Sequence, residues 1–163
     1  MEAVAAFGPA LDRLARGYEA DPDLRRDLRQ DIHTALWRSF ARFDGRCSLR
    51  TWVYRVAHNT AVSHVIKHRP RQRFTGLEEI DDLPSDDDPE RSTLERDTRL
   101  QLIALIQTLK PADRQLTLLY LEDLDTAVIG EITGLPPAAI RLKIHRIKAV
   151  LARRVQEGER DGR

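Results

Sequence analysis

The stretch from Asp125 to Arg154, DTAVIGEITGLPPAAIRLKIHRIKAVLARR, leaves few folds open to it. Asp125 is placed to cap a short helix carrying Val128, Ile129 and Ile132. Gly134 can take a left-handed turn, and Pro136-Pro137 stops one helix and starts the next. Gly130 is small where two helices would cross closely. From Pro137 onward, Ile140, Ile144, Ile147 and Leu151 fall at i, i+4, i+7 and i+11, a single narrow apolar stripe. Arg141 and His145 lie on one flank, Arg146 and Arg153 on the other, with Ala138 and Leu142 between them, opposite the stripe. The spacing predicts a helix-turn-helix whose second helix is buried on one side and basic on the other. Such a helix fits a major groove and holds phosphates. A merely solvated basic helix does not require the glycines, the double proline and the stripe to agree in spacing.

A formal net charge of +1 conceals strong segregation. Gly45 through Leu77 contains no acid but has Arg46, Arg50, Arg55, Lys67, Arg69, Arg71 and Arg73. Ile132 through Gln156 is again acid-free, with Arg141, Lys143, Arg146, Lys148, Arg153 and Arg154. Between them, Glu78 to Glu90 is rich in acid and has no base. Two basic blocks around an acidic spacer point to two polyanion-binding modules on a tether. The same pattern suggests that Asp86, Asp87 and Asp88 fold back on a basic face and damp nucleic-acid binding. Cys47 is the only cysteine, so no intrachain disulfide forms, as suits a reducing cytoplasm. The N-terminus has no uninterrupted apolar core of a signal peptide, and no apolar run has the length of a membrane span. The expectation is a cytoplasmic protein without direct membrane insertion.

Strand signals are nearly absent, so the expected fold is all-α: two small helical domains joined by a flexible acidic linker. A first helix is predicted over Val4 to Tyr18, with Phe7, Leu11, Leu14 and Ala15 inward. A second starts at Asp21-Pro22 and carries the stripe Leu24, Leu28, Ile32, Ala35, Leu36 and Phe40. After a turn, Ser48 caps a third helix reaching about His68, which Pro70 ends. Residues 1–71 then form the first domain, 72–92 the linker, 93–156 the helix-turn-helix domain and 157–163 a disordered tail. Lys110-Pro111 breaks the second domain's first two helices apart.

In the first block, Trp37, Phe40, Phe43, Trp52 and Tyr54 interleave with Arg38, Arg42, Arg46, Arg50 and Arg55. Rings stack on unpaired bases at about 1–3 kcal/mol each, and Arg follows the backbone, so the pattern suits single-stranded nucleic acid. Trp37, Phe40 and Phe43 continue the apolar side of the second helix and are expected in the core. Trp52, Arg55, His58 and Asn59 are the functional candidates, the last three sharing a face at i, i+3 and i+4. Asn reads adenine edges. The loop Asp44, Gly45, Arg46, Cys47, Ser48 precedes this helix and could pocket one extruded base. His58, His64 and His68 lack a carboxylate in their block, so no metal or other cofactor is expected. Nor does the sequence offer a catalytic carboxylate cluster beside the basic surface or a base for Cys47, which argues against an enzyme.

The segment Asp27 to Arg71 contains Ser48-Leu49-Arg50-Thr51-Trp52-Val53-Tyr54-Arg55-Val56-Ala57-His58-Asn59 after an acidic-Gln helix start and an aromatic run. Leu109 to Arg154 contains a Leu-x-Pro-x-x-Arg preface, the Leu135-Pro136 turn and His145-Arg146. In order and spacing the two segments resemble the bacterial RNA polymerase sigma factors of the two-domain extracytoplasmic-function type. The resemblance implies a factor that directs polymerase core to promoters. The first domain would dock on the clamp through Asp27, Gln30, Asp31 and Arg38, and would melt and read the −10 element. Asp44, Gly45, Arg46 and Ser48 would hold a flipped base near Trp52, Arg55, His58 and Asn59, with Lys67 and Arg69 along duplex phosphate. The second domain would read the −35 element with Ala138, Ala139, Arg141, Leu142, Lys143, His145 and Arg146, its other face meeting the polymerase flap. An anti-sigma factor is a further partner of many relatives. Ala138-Ala139 and Leu142 depart from the Gly-Thr and Ser common in the family, which implies an unusual promoter preference. The alternative is a one-component helix-turn-helix regulator that binds operator DNA without polymerase.

Overall fold

The structure, a computed structural model, describes residues 2–72 and 92–161. Residues 73–91 of the linker lie outside the described residues, and with them the suggested masking by Asp86, Asp87 and Asp88. Seven helices and no strand occur among the described residues: α1 (Glu2–Tyr18), α2 (Pro22–Phe40), α3 (Leu49–Gln72), α4 (Ser92–Gln107), α5 (Pro111–Leu121), α6 (Thr126–Thr133) and α7 (Pro137–Asp161).

Local chemistry sets the helix starts. The Asp21 side chain accepts from the amides of Asp23 and Leu24 at 2.9 and 3.0 Å, and Pro22 follows in the first turn. Ser48 Oγ accepts from the Thr51 amide at 3.0 Å ahead of α3. Asp125 does the same for Val128 at 2.9 Å ahead of α6. Gly134 ends α6 with φ 76°, the left-handed conformation that costs glycine nothing. A Cβ on Gly130 would stand 3.0 Å from the Leu135 carbonyl oxygen, so glycine lets α6 and the turn approach this closely.

α1, α2 and α3 bury Leu11, Leu14, Ala15 and Tyr18 against Leu28, Ile32 and Leu36 and against Val53, Ala57, Ala61 and Val65. α5, α6 and α7 bury Leu116, Leu119, Leu124, Ile129, Ile132, Ile140 and Ile147. Each fully buried Leu or Ile contributes about 1.5–3 kcal/mol, and these two clusters hold the two halves together internally. The α7 stripe is as spaced in the sequence, with Ile144 and Leu151 completing it at the edge.

The halves also pack on each other, which the tethered-module expectation did not contain. α1 meets α4 and α5, and α3 meets α5 and α6. Tyr54 of α3 is buried within the second cluster, and Leu118 of α5 packs on the first. Arg114, the Arg of the Leu-x-Pro-x-x-Arg preface, is buried at this junction. Its guanidinium donates to the Tyr18 carbonyl at 2.7 Å, to the Leu109 carbonyl at 3.1 Å and to the Gln107 carbonyl. It thus satisfies carbonyls left open at the C-terminal ends of α1 and α4.

Two boundary expectations and one burial expectation are corrected. Pro70 does not end α3, which runs on to Gln72. So near a helix end, the missing amide forfeits a single backbone bond. α7 continues to Asp161, so residues 157–161 are helical rather than a disordered tail. Trp37 is 78% exposed rather than in the core. Leu36 takes the inward position on that turn and turns Trp37 to solvent.

Candidate nucleic-acid interface

α7 is anchored by Ile140 and Ile147, which fixes what its far side presents. Ala138, Arg141, Leu142, His145 and Arg146 are exposed there, Leu142 to 50%. Ala139 is half-buried. Lys143 is half-buried and leans toward Asp113 at 3.7 Å, leaving it less free for a phosphate than its neighbours. The outer face is therefore cationic along two flanks with a small apolar centre, the surface the sequence predicted.

In the first domain the loop before α3 is open. Asp44, Gly45, Arg46 and Ser48 are exposed. Asp44 accepts from the Arg46 amide at 3.2 Å and pairs with its guanidinium at 3.0 Å, and Gly45 has φ 75°. Trp52 is half-buried, its Nε1 donating to Ser39 Oγ at 3.0 Å and its ring 5.5 Å from Phe43. Asn59 and Lys67 are exposed, and the Arg69 side chain lies outside the described residues. Arg55 is half-buried because it donates to the Glu131 carbonyl of α6 at 2.7 and 3.1 Å.

His58 is a correction. It does not share the exposed face of Asn59 but is 1% exposed, with Nδ1 paired to the Tyr18 hydroxyl at 2.9 Å. Burial lowers its pKa to about 3, so it sits neutral in the core and is out of reach of DNA. His64 is buried as well, 3.7 Å from Glu19 and 3.5 Å from Asp31, with the His68 ring 4.2 Å away. The fold thus brings carboxylates to a histidine that the sequence left without any. Burial and His68 push the His64 pKa down, against the pull of those acids. No cluster suited to a metal ion occurs among the described residues.

Asp27, Gln30, Asp31 and Arg38 are all exposed on α2. Trp37 stands beside Arg38 and gives this polar line an apolar member that sequence reasoning placed inside. Sequence reasoning also missed Arg13 and Glu122. Arg13 of α1 donates to both Glu122 carboxylate oxygens, at 2.7 and 2.9 Å, across the junction. No periodicity links residues so far apart in the chain. Pocket-forming apolar residues lie on the opposite side of α7, where Leu102, Tyr120, Leu121, Ile144, Ile147 and Leu151 line a shallow cleft.

Two family models match the chain, Sigma-70 region 2 over residues 3–71 and Sigma-70, region 4 over residues 99–151, together more than half of it. The chain belongs to the sigma-70 family. Relatives named as extracytoplasmic-function sigma factors are among the proteins it is similar to. The ECF RNA polymerase sigma factor SigG of Mycobacterium tuberculosis is 28% identical over 150 residues, covering 77% of this chain and 40% of that protein. The chain therefore spans 40% of the length of the SigG relatives. The RNA polymerase sigma-H factor of Pseudomonas aeruginosa is 27% identical, over 83% of this chain and 75% of that one. The fold matches the sigma factor RpoE of Bartonella quintana, solved in complex with the anti-sigma factor NepR, with TM-score 0.72, 19% identity and 95% of each chain covered. It also matches CnrH, solved with the cytosolic domain of CnrY, with TM-score 0.67, 20% identity, and 96% and 86% covered. The helices α1 to α3 thus hold region 2, and α4 to α7 hold region 4. No helix among the described residues is long and apolar enough to cross a membrane.

Proposed function

We propose that this chain is a sigma factor that directs RNA polymerase core to promoters, region 2 melting and reading the −10 element and region 4 binding the −35 element. The observation that carries this is the α7 face, where Arg141, His145 and Arg146 stand exposed around Leu142 while Ile140 and Ile147 anchor the helix. Contacts of Arg141 and Arg146 with phosphate or base edges position and read a duplex, and Ala138 and Leu142 favour thymine methyl groups.

In region 2, the open loop Asp44 to Ser48 receives a non-template base, Asn59 contacts the strand and Lys67 lies along duplex phosphate. Trp52 contributes the exposed part of its ring. α2 docks on the polymerase clamp through Asp27, Gln30, Asp31 and Arg38, with Trp37 joining them. The cleft behind α7 takes the flap. The protein works in the cytoplasm by binding and has no catalysis of its own. An anti-sigma factor is a further partner, as it is for the RpoE protein in its complex. An operator-binding regulator is the weaker reading, because residues 3–71 match region 2 rather than a sensing domain.

Run-off transcription with purified core on a library of two-element promoters tests the proposal. Transcripts from a defined promoter class only when this chain is added support it. No transcript above core alone refutes it.

A further inference from the structure

One polar cluster at the junction between the halves centres on an acid. Glu122, in the loop between α5 and α6, receives the bidentate pair from Arg13 and a bond from the Tyr54 hydroxyl at 3.0 Å. Its side chain is 17% exposed. Arg50 donates to the Glu122 backbone carbonyl at 3.4 Å, and its guanidinium lies 5.7 Å from the Tyr54 ring. The loop that delivers Glu122 is constrained, since Asp123 adopts φ 56°. Asp tolerates this left-handed conformation better than most residues. An arginine of α1 and a phenol of α3 thus converge on a carboxylate from the other half, while a second arginine of α3 meets the backbone carbonyl of the same residue. Arg55 is covered alongside by the Glu131 carbonyl.

An anionic oxygen held by a bidentate guanidinium and a phenol is the arrangement in which a backbone phosphate is held. We infer that Arg13, Arg50 and Tyr54 form a cradle for a nucleic-acid backbone phosphate, and that Glu122 occupies it as an internal stand-in while the halves are packed together. This rests on the promoter-binding reading above. Separation of the halves frees the cradle, uncovers Arg55 and exposes the Tyr54 ring beside them. Those are the cationic and aromatic groups that a single strand engages. Strand and Glu122 then compete for one site, and the packed form binds DNA more weakly than the separated one.

Gly17 supplies an independent way to separate the halves, since a side chain there would run into the Leu118 side chain of α5. The test uses the full chain, a fluorescent single-stranded oligonucleotide and small-angle scattering, comparing Glu122→Gln, Gly17→Leu and Arg13→Gln. All three variants are expected to have a larger radius of gyration than wild type. Glu122→Gln and Gly17→Leu should bind the oligonucleotide about tenfold more tightly, the ratio that about 1.4 kcal/mol represents. Arg13→Gln should open the molecule yet gain clearly less, because it also removes part of the cradle. Expansion of Glu122→Gln with no gain in affinity overturns the masking role. Equal gains in Glu122→Gln and Arg13→Gln overturn the cradle, and unchanged dimensions in every variant overturn the role of Glu122 and Gly17 in keeping the halves packed. None of these readouts uses polymerase. Failure of the promoter-binding reading would instead appear as absent core-dependent transcripts, with the scattering result intact.

Discussion

Burial of His58 against Tyr18 ties folding to acid. The pKa of His58 is lowered by burial to about 3 in the fold, against about 6.5 in the unfolded chain. The unfolded state therefore takes up the proton first as pH falls. The stability is fully present above about pH 6.5 and is lost on the way down to about pH 3, at about 1.4 kcal/mol for each unit. His64, also lowered by burial, adds in the same sense. His58→Asn should flatten the fall of Tm between pH 6.5 and pH 4.5 without abolishing it, as read by thermal melts across pH. An unchanged slope would contradict the burial of this histidine. The sequence contained the clue: Tyr54, His58, Ala61 and Val65 repeat at i, i+4, i+7 and i+11, and all four are buried. A polar residue type inside an apolar stripe hid it. On α7 the opposite held, because an unbroken stripe fixed the outer face by elimination. At that face Arg146→Ala should reduce the slope of log affinity against log salt by about 1 for promoter binding with core. Leu142→Ala should leave that slope unchanged and alter only which −35 sequences are preferred.

At the scale of elements, the α6–α7 unit depends on two glycines with separate roles. Gly134 holds φ 76°, so Gly134→Ala should cost about 1–2 kcal/mol in urea melts. Gly130 lies against the Leu135 carbonyl, and a branched side chain there overpacks the crossing. Gly130→Val should therefore destabilise by about 1–3 kcal/mol, and by more than Gly130→Ala. Both glycines were legible in the sequence, as were the Asp21, Ser48 and Asp125 caps, because caps and turns are decided by neighbours in the chain. The reach of α3 past Pro70 and of α7 to Asp161 was not. Helices fray or extend at their ends by small energy differences, so local propensity alone leaves their last turn undecided.

For the whole molecule, charge segregation foretold two basic halves but not that they pack together. That packing draws on Arg114, Tyr54, Arg13 and Glu122, each with a partner in the other half that no periodicity or local motif can pair with it. Arg13 holds the Glu122 carboxyl below its usual range, so the pair is present above the ordinary carboxylate range and is lost as pH falls through the lowered value. On the proposed function, tethering two modest DNA-binding modules on polymerase would supply the effective concentration that each lacks alone. The most direct measurement is the affinity of this chain for a promoter fragment with both elements, with and without core, at matched salt. Tight, sequence-specific binding only in the presence of core is the expected result. Equally tight and specific binding by the free chain would contradict it and mark the protein as an operator-binding regulator.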